Sequence, residues 1–84
     1  MPYEVRFSSV ARKDVLRLSP RLKKKLKEIL LGQISVDPFS GKKLVGDLEG
    51  FFSVRLAFKD RIVYSIDAAH RVAYIHRART HYGD

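Results

Sequence analysis

The chain has 84 residues and a mass of 9.7 kDa, with 17 Lys and Arg against 9 Asp and Glu, a net charge of +8 and a pI near 10.1. So short a chain builds one domain, residues 1–84, around one modest core, and the absence of cysteine removes disulfides, thiolate metal sites and a cysteine nucleophile. No apolar run approaches the ~18 residues of a membrane span, so the composition predicts a soluble cytoplasmic domain with no membrane role and an anionic partner, nucleic acid first and acidic protein second.

Tyr3, Val5 and Phe7 alternate with Glu4 and Arg6, which predicts a short first strand. Ser8 and Ser9 follow as helix caps, and Ala11, Val15 and Leu18 then recur at helical spacing. Ser19-Pro20 is a second helix start, with Ser as the cap and Pro in the first turn. Leu22, Leu26, Ile29, Leu30 and Ile34 form the apolar stripe behind it, and Asp37-Pro38 ends it. Phe39 to Gly50 holds glycines at 41, 46 and 50 and reads as loop around a short strand near Leu44-Val45. Three antiparallel strands follow at 51–58, 61–67 and 71–77. The order β-α-α-β-β-β predicts an α+β fold, a helical hairpin packed on one face of a small, mostly antiparallel sheet.

Residue parity sorts the strands. Val54, Leu56, Phe58, Ile62, Tyr64, Ile66, Val72 and Tyr74 are even-numbered and are expected to face the helices. An odd-length loop at the first hairpin keeps these sets together. Arg55, Arg61 and Arg77 then share the open face over a floor of Val63, Ala73 and Ile75. Guanidinium groups there suit a phosphate, because each offers forked donors and keeps its charge at any relevant pH. Spacing alone leaves open that they are solvated surface charges. His76 has core-facing parity and reads as a packed or edge histidine.

Two further basic groups stand out. Between residues 12 and 27, Arg12, Lys13, Arg17, Arg21, Lys23, Lys24, Lys25 and Lys27 face a single acid, Asp14. Such a run is either a solvated helix face or a docking surface for an anion. Lys42 and Lys43 form a smaller pair before the sheet. The chain closes on Arg77, Arg79, His81 and Tyr82, a set able to bind phosphate, move a proton and stack on a base, or else simply a polar terminus. No histidine pair has metal-ligand spacing, so neither metal nor other cofactor is expected.

Three stretches carry a family resemblance: Asp37-Pro38-Phe39-Ser40-Gly41-Lys42, Leu48-Glu49-Gly50-Phe51-Phe52-Ser53-Val54-Arg55 and Arg61-Ile62-Val63-Tyr64, with the close Arg79-Thr80-His81-Tyr82. Together with the element order they resemble the RelE/ParE toxin superfamily of bacterial toxin–antitoxin modules, and most of all its Txe/YoeB branch. The resemblance implies metal-independent cleavage of messenger RNA on the ribosome, by attack of a ribose 2′-hydroxyl on the adjacent phosphate. It assigns Arg61 to the phosphate, His81 to general acid or base work and Tyr82 to orienting the substrate. Arg55, Arg77, Arg79 and Lys42 become further phosphate contacts. Lys23, Lys24, Lys25 and Lys27 become candidates for docking to the ribosome or to an acidic antitoxin. One feature departs from the branch: its loop glutamate, the general base, has no aligned counterpart, which leaves Glu49, Lys43 and His81 as candidates. The same superfamily also contains ParE-type toxins that poison DNA gyrase by binding, and this is the alternative reading.

Overall fold

The computed structural model describes residues 2–79. Strand β1 (Glu4–Phe7) leads into helix α1 (Ser9–Leu16), helix α2 (Pro20–Ile29) and a π-helical turn over Leu30–Ile34. Strands β2 (Lys42–Lys43), β3 (Phe51–Arg55), β4 (Arg61–Asp67) and β5 (Val72–Arg79) follow. They form one sheet in the order β1-β5-β4-β3-β2, with β1 parallel to β5 and every other pair antiparallel.

Local chemistry explains the helix ends. Ser8 caps α1 by accepting the Ala11 N–H at 3.0 Å, and its hydroxyl also donates to the His76 carbonyl at 3.2 Å. Ser19 caps α2 through the Leu22 N–H, and Pro20 occupies the first turn, where its missing N–H costs nothing. The last turn loosens as Ser35 donates to the Leu30 carbonyl five residues back. Leu26, Leu30 and Ile34 from this stripe are buried against Ala11, Phe52, Leu56, Ile62, Tyr64, Ala73, Ile75 and Ala78. Tyr64 is fully buried, and its hydroxyl donates to the Pro38 carbonyl at 2.6 Å. A side chain at Gly41 would run into that hydroxyl, so glycine is required there.

The loop Leu56–Asp60 joins β3 to β4, closed by Leu56 N–H donating to the Asp60 carbonyl at 2.8 Å. It has the expected odd length. Val54 faces Ile62 and Phe52 faces Tyr64, so the even residues of both strands share the covered face. Three expectations are corrected. The strand before this loop stops at Arg55, and Phe58 in the loop is 85% exposed rather than core. The short edge strand is Lys42–Lys43, not Leu44-Val45. Most consequential is a register shift between Val63 and Tyr64: Val63 pairs with Arg77 but Tyr64 pairs with Ile75. His76 is thus the extra residue of a β-bulge, and parity reverses across it. Ala73 and Ile75 belong to the core, while Val72 and Tyr74 turn to the face away from the helices.

Candidate active site

Cross-strand partners share a face, so the register defines what stands on the open side of the sheet. Arg55 lies directly opposite Arg61, and Arg61 directly opposite Arg79. Three adjacent strands therefore carry three guanidinium groups in one row. The odd-length loop produces the first match and the bulge the second. Val63, one row along, is 2% exposed, and Ser53 beside it is 4% exposed, so the row borders a dry floor.

The electrostatics of this row are unusual. Like charges directly opposed across strands destabilise a sheet by about 0.2–1 kcal/mol per pair. Among the described residues, no carboxylate forms an ion pair with Arg55, Arg61 or Arg79. The row is an assembled cation set whose forked donors match the geometry of an anion with several oxygens, such as a phosphate diester.

Arg77 behaves differently. The register sets it opposite Val63, but its Nε donates to Asp14 Oδ2 at 2.8 Å and its Nη2 to Oδ1 at 3.3 Å. β1 pairs with β5 only as far as Ile75, so the Ala78 N–H lies beyond the end of β1 and donates instead to Asp14 at 3.1 Å. Asp14, on α1 and 4% exposed, thereby pins the end of β5. At least two of the Arg77 donors are engaged in holding the fold.

The remaining predicted residues fall around the row at different distances. Lys42 pairs with Ser53 and so stands on the arginine face, one row away. Lys43 pairs with Phe52, whose ring is in the core, so it leaves from the other face. Lys43 and Glu49 instead line a recess at the sheet edge with Leu44, Val45 and Phe51. Glu49 precedes Phe51, and Phe51 lies four strand residues, about 13 Å, from Arg55. The structure does not bring Glu49 to the arginines. Lys23, Lys24, Lys25 and Lys27 are exposed on α2. His81 and Tyr82 lie outside the described residues. No group of three or more His, Asp or Glu among the described residues is arranged to hold a metal ion.

One cluster on this face has no signal in the sequence. The bulge turns His76 onto the open face, where Nε2 lies 2.8 Å from the Ser65 hydroxyl and the ring meets Phe51 edge-on at 4.9 Å. Partial burial lowers the pKa of His76 from its ordinary 6.5, which favours the neutral ring. Parity placed His76 among core residues, and no sequence signal marks the bulge that reverses it.

The chain is thus a small basic α+β domain with one sheet face covered by helices and, on the other, a row of opposed arginines with no ion-pair partner among the described residues. Comparison with known proteins then fixes the family. No protein-family model matches the chain. It is 40% identical over 78 residues to Toxin RelG of Mycobacterium tuberculosis, covering 92% of this chain and 88% of that protein. Its fold superposes on the RelBE2 toxin–antitoxin complex of M. tuberculosis with a TM-score of 0.86 at 36% identity, covering 96% of this chain and 100% of that one. The YoeB–YefM complex of Staphylococcus aureus gives a TM-score of 0.75 at 27% identity, covering 98% and 100%. The chain belongs to the RelE/ParE superfamily, the toxins of type II toxin–antitoxin modules, and has YoeB-like structural relatives.

Proposed function

We propose that this chain is a ribosome-dependent endoribonuclease that cleaves messenger RNA without a metal. The observation that carries this reading is the row Arg55–Arg61–Arg79, three directly opposed guanidinium groups without an ion-pair partner among the described residues. In the reaction the ribose 2′-oxygen attacks the adjacent phosphorus, and the bond to the 5′-oxygen of the next nucleotide breaks. Negative charge builds on the non-bridging oxygens in the transition state. Fixed guanidinium groups stabilise that charge more than the ground state, which is where catalytic gain arises.

Arg61, flanked on both sides, grips the scissile phosphate, with Arg55 and Arg79 alongside. Lys42 supports an adjoining phosphate from the next row. Arg77 is a weaker candidate contact, because Asp14 takes two of its donors. His81, two residues beyond Arg79 in sequence, takes the proton-transfer role, and Tyr82 orients the substrate, as the family resemblance implies. Glu49 and Lys43 remain as alternatives for the general base, disfavoured by their distance and face.

The partner is an acidic antitoxin protein. Structural relatives of this chain were solved as toxin–antitoxin complexes, and the exposed basic residues of α2 offer matching charge. Lys23, Lys24, Lys25 and Lys27 serve docking, to the antitoxin or to ribosomal RNA.

Toe-printing of messenger RNA on ribosomes, run beside a DNA gyrase cleavage assay, tests the reading. New transcript ends that appear only with ribosomes are the expected result. Gyrase-dependent DNA breaks with intact transcripts would transfer the chain to the gyrase-poisoning branch.

A further inference from the structure

The open face carries more than the arginine row. Phe51 lies opposite Ser65, Ser65 opposite Tyr74, and Tyr74 opposite Arg6 on β1. His76, displaced onto this face by the bulge, touches Phe51 and Ser65 and lines one recess with Tyr74 and Arg6. Phe51, Tyr74 and His76 are all only partly buried. Three partly buried ring side chains thus stand together on this face, about 10–13 Å along the strands from the arginines.

Each part of this cluster has a physical reading. Aromatic and imidazole rings on an open sheet are how unstacked bases are received by single-strand binders. The Ser65 hydroxyl engages His76 Nε2 and fixes the ring plane. His76 Nδ1 has no hydrogen bond among the described residues, and it is not a sealed-off atom, since no buried side-chain N or O lacks a partner. A neutral imidazole with one accessible nitrogen can stack and also donate to or accept from a base edge. A β-bulge that turns one ring out of the core, beside a cation row on the same face, is a feature with a use.

We propose that Phe51, Tyr74 and His76 form a seat for an unpaired nucleobase, belonging to a nucleotide next to the one whose phosphate lies on the arginine row. This rests on the nuclease reading for its substrate class and adds a base-recognition element to it. His76 is the residue that gives the seat any preference among bases, through Nδ1.

The test uses fluorescence anisotropy with two labelled single-stranded probes of equal length and phosphate count. One is an RNA oligonucleotide made non-cleavable by 2′-deoxy substitution, and the other is abasic. The parent chain binds the base-bearing probe more tightly. Phe51→Leu and His76→Leu keep bulk but remove the π-face, and each is expected to weaken the base-bearing probe about tenfold while leaving the abasic probe unchanged. His76→Phe is expected to retain affinity, while Arg61→Ala weakens both probes alike. Equal binding of the two probes by the parent, or equal effects of the Leu variants on both, overturns the seat. The outcomes separate from those of the nuclease reading. A parent that cleaves messenger RNA but ignores bases refutes only the seat. A parent that prefers the base-bearing probe but leaves messenger RNA intact refutes only the nuclease.

Discussion

The two faces of the sheet handle charge in opposite ways. On the helix side a buried carboxylate is satisfied: Asp14 is 4% exposed and accepts from the half-exposed Arg77 twice and from the Ala78 N–H once. On the open side three arginines oppose one another with no ion-pair partner among the described residues. Arg77 and Arg79 are two residues apart on the same strand, yet one is held by a carboxylate and the other has no ion-pair partner among the described residues. The contrast shows that a basic residue is informative through what compensates it, not through its presence. Local frustration of this kind is concentrated at functional sites and is tolerated because the rest of the fold over-determines the geometry.

The contrast can be broken from its enclosed side first. Asp14→Ala removes the acceptor of the Ala78 N–H and the carboxylate that receives two Arg77 donors, and is expected to cost about 2–4 kcal/mol in urea denaturation. Asp14→Asn, which keeps one acceptor, should cost less. Tyr64→Phe removes the bond to the Pro38 carbonyl and should cost about 1 kcal/mol by the same measurement. On the open face the sign reverses: Arg55→Gln should leave stability unchanged or raise it by a few tenths of a kcal/mol, because it relieves a like-charge pair.

His76 gives a pH test of the same face. Its folded pKa is lowered, so in mildly acidic solution the unfolded chain binds the proton more readily than the folded one. Stability is therefore predicted to fall as pH drops below about 6.5, and His76→Phe should remove that part of the profile. Asp67 acts in a separate and more acidic window, because hydrogen bonds from His70 lower its pKa from 3.8. The smallest effect is expected on α2. Replacing Lys24 or Lys25 by Gln should change stability by less than about 0.5 kcal/mol while weakening the salt-dependent part of ribosome or antitoxin binding.

Much of this architecture was legible in the sequence because it rests on local signals. Ser19-Pro20 marks the start of α2, and Leu26, Leu30 and Ile34 keep helical spacing into the core. The facing of Arg55 and Arg61 followed from parity and an odd loop. What was not legible depends on one residue of register. A bulge at His76 sends Ala73 and Ile75 inward and brings His76 out, and alternation alone cannot announce where it breaks. The same shift sets Arg79 opposite Arg61. The Asp14–Arg77 pair spans 63 residues of sequence, so only the packed fold could reveal which arginine is compensated.

Under the proposed nuclease function, the arginine row serves a phosphate rather than the fold. Arg61→Gln keeps much of the side-chain stem and removes the charge at the centre of the row. Its ribosomal messenger-RNA cleavage and its melting temperature should be measured together against the parent. A melting temperature no lower than the parent's and a cleavage rate reduced about a hundredfold or more are expected. A folded Arg61→Gln chain that cleaves at the parent's rate would contradict that role of the row.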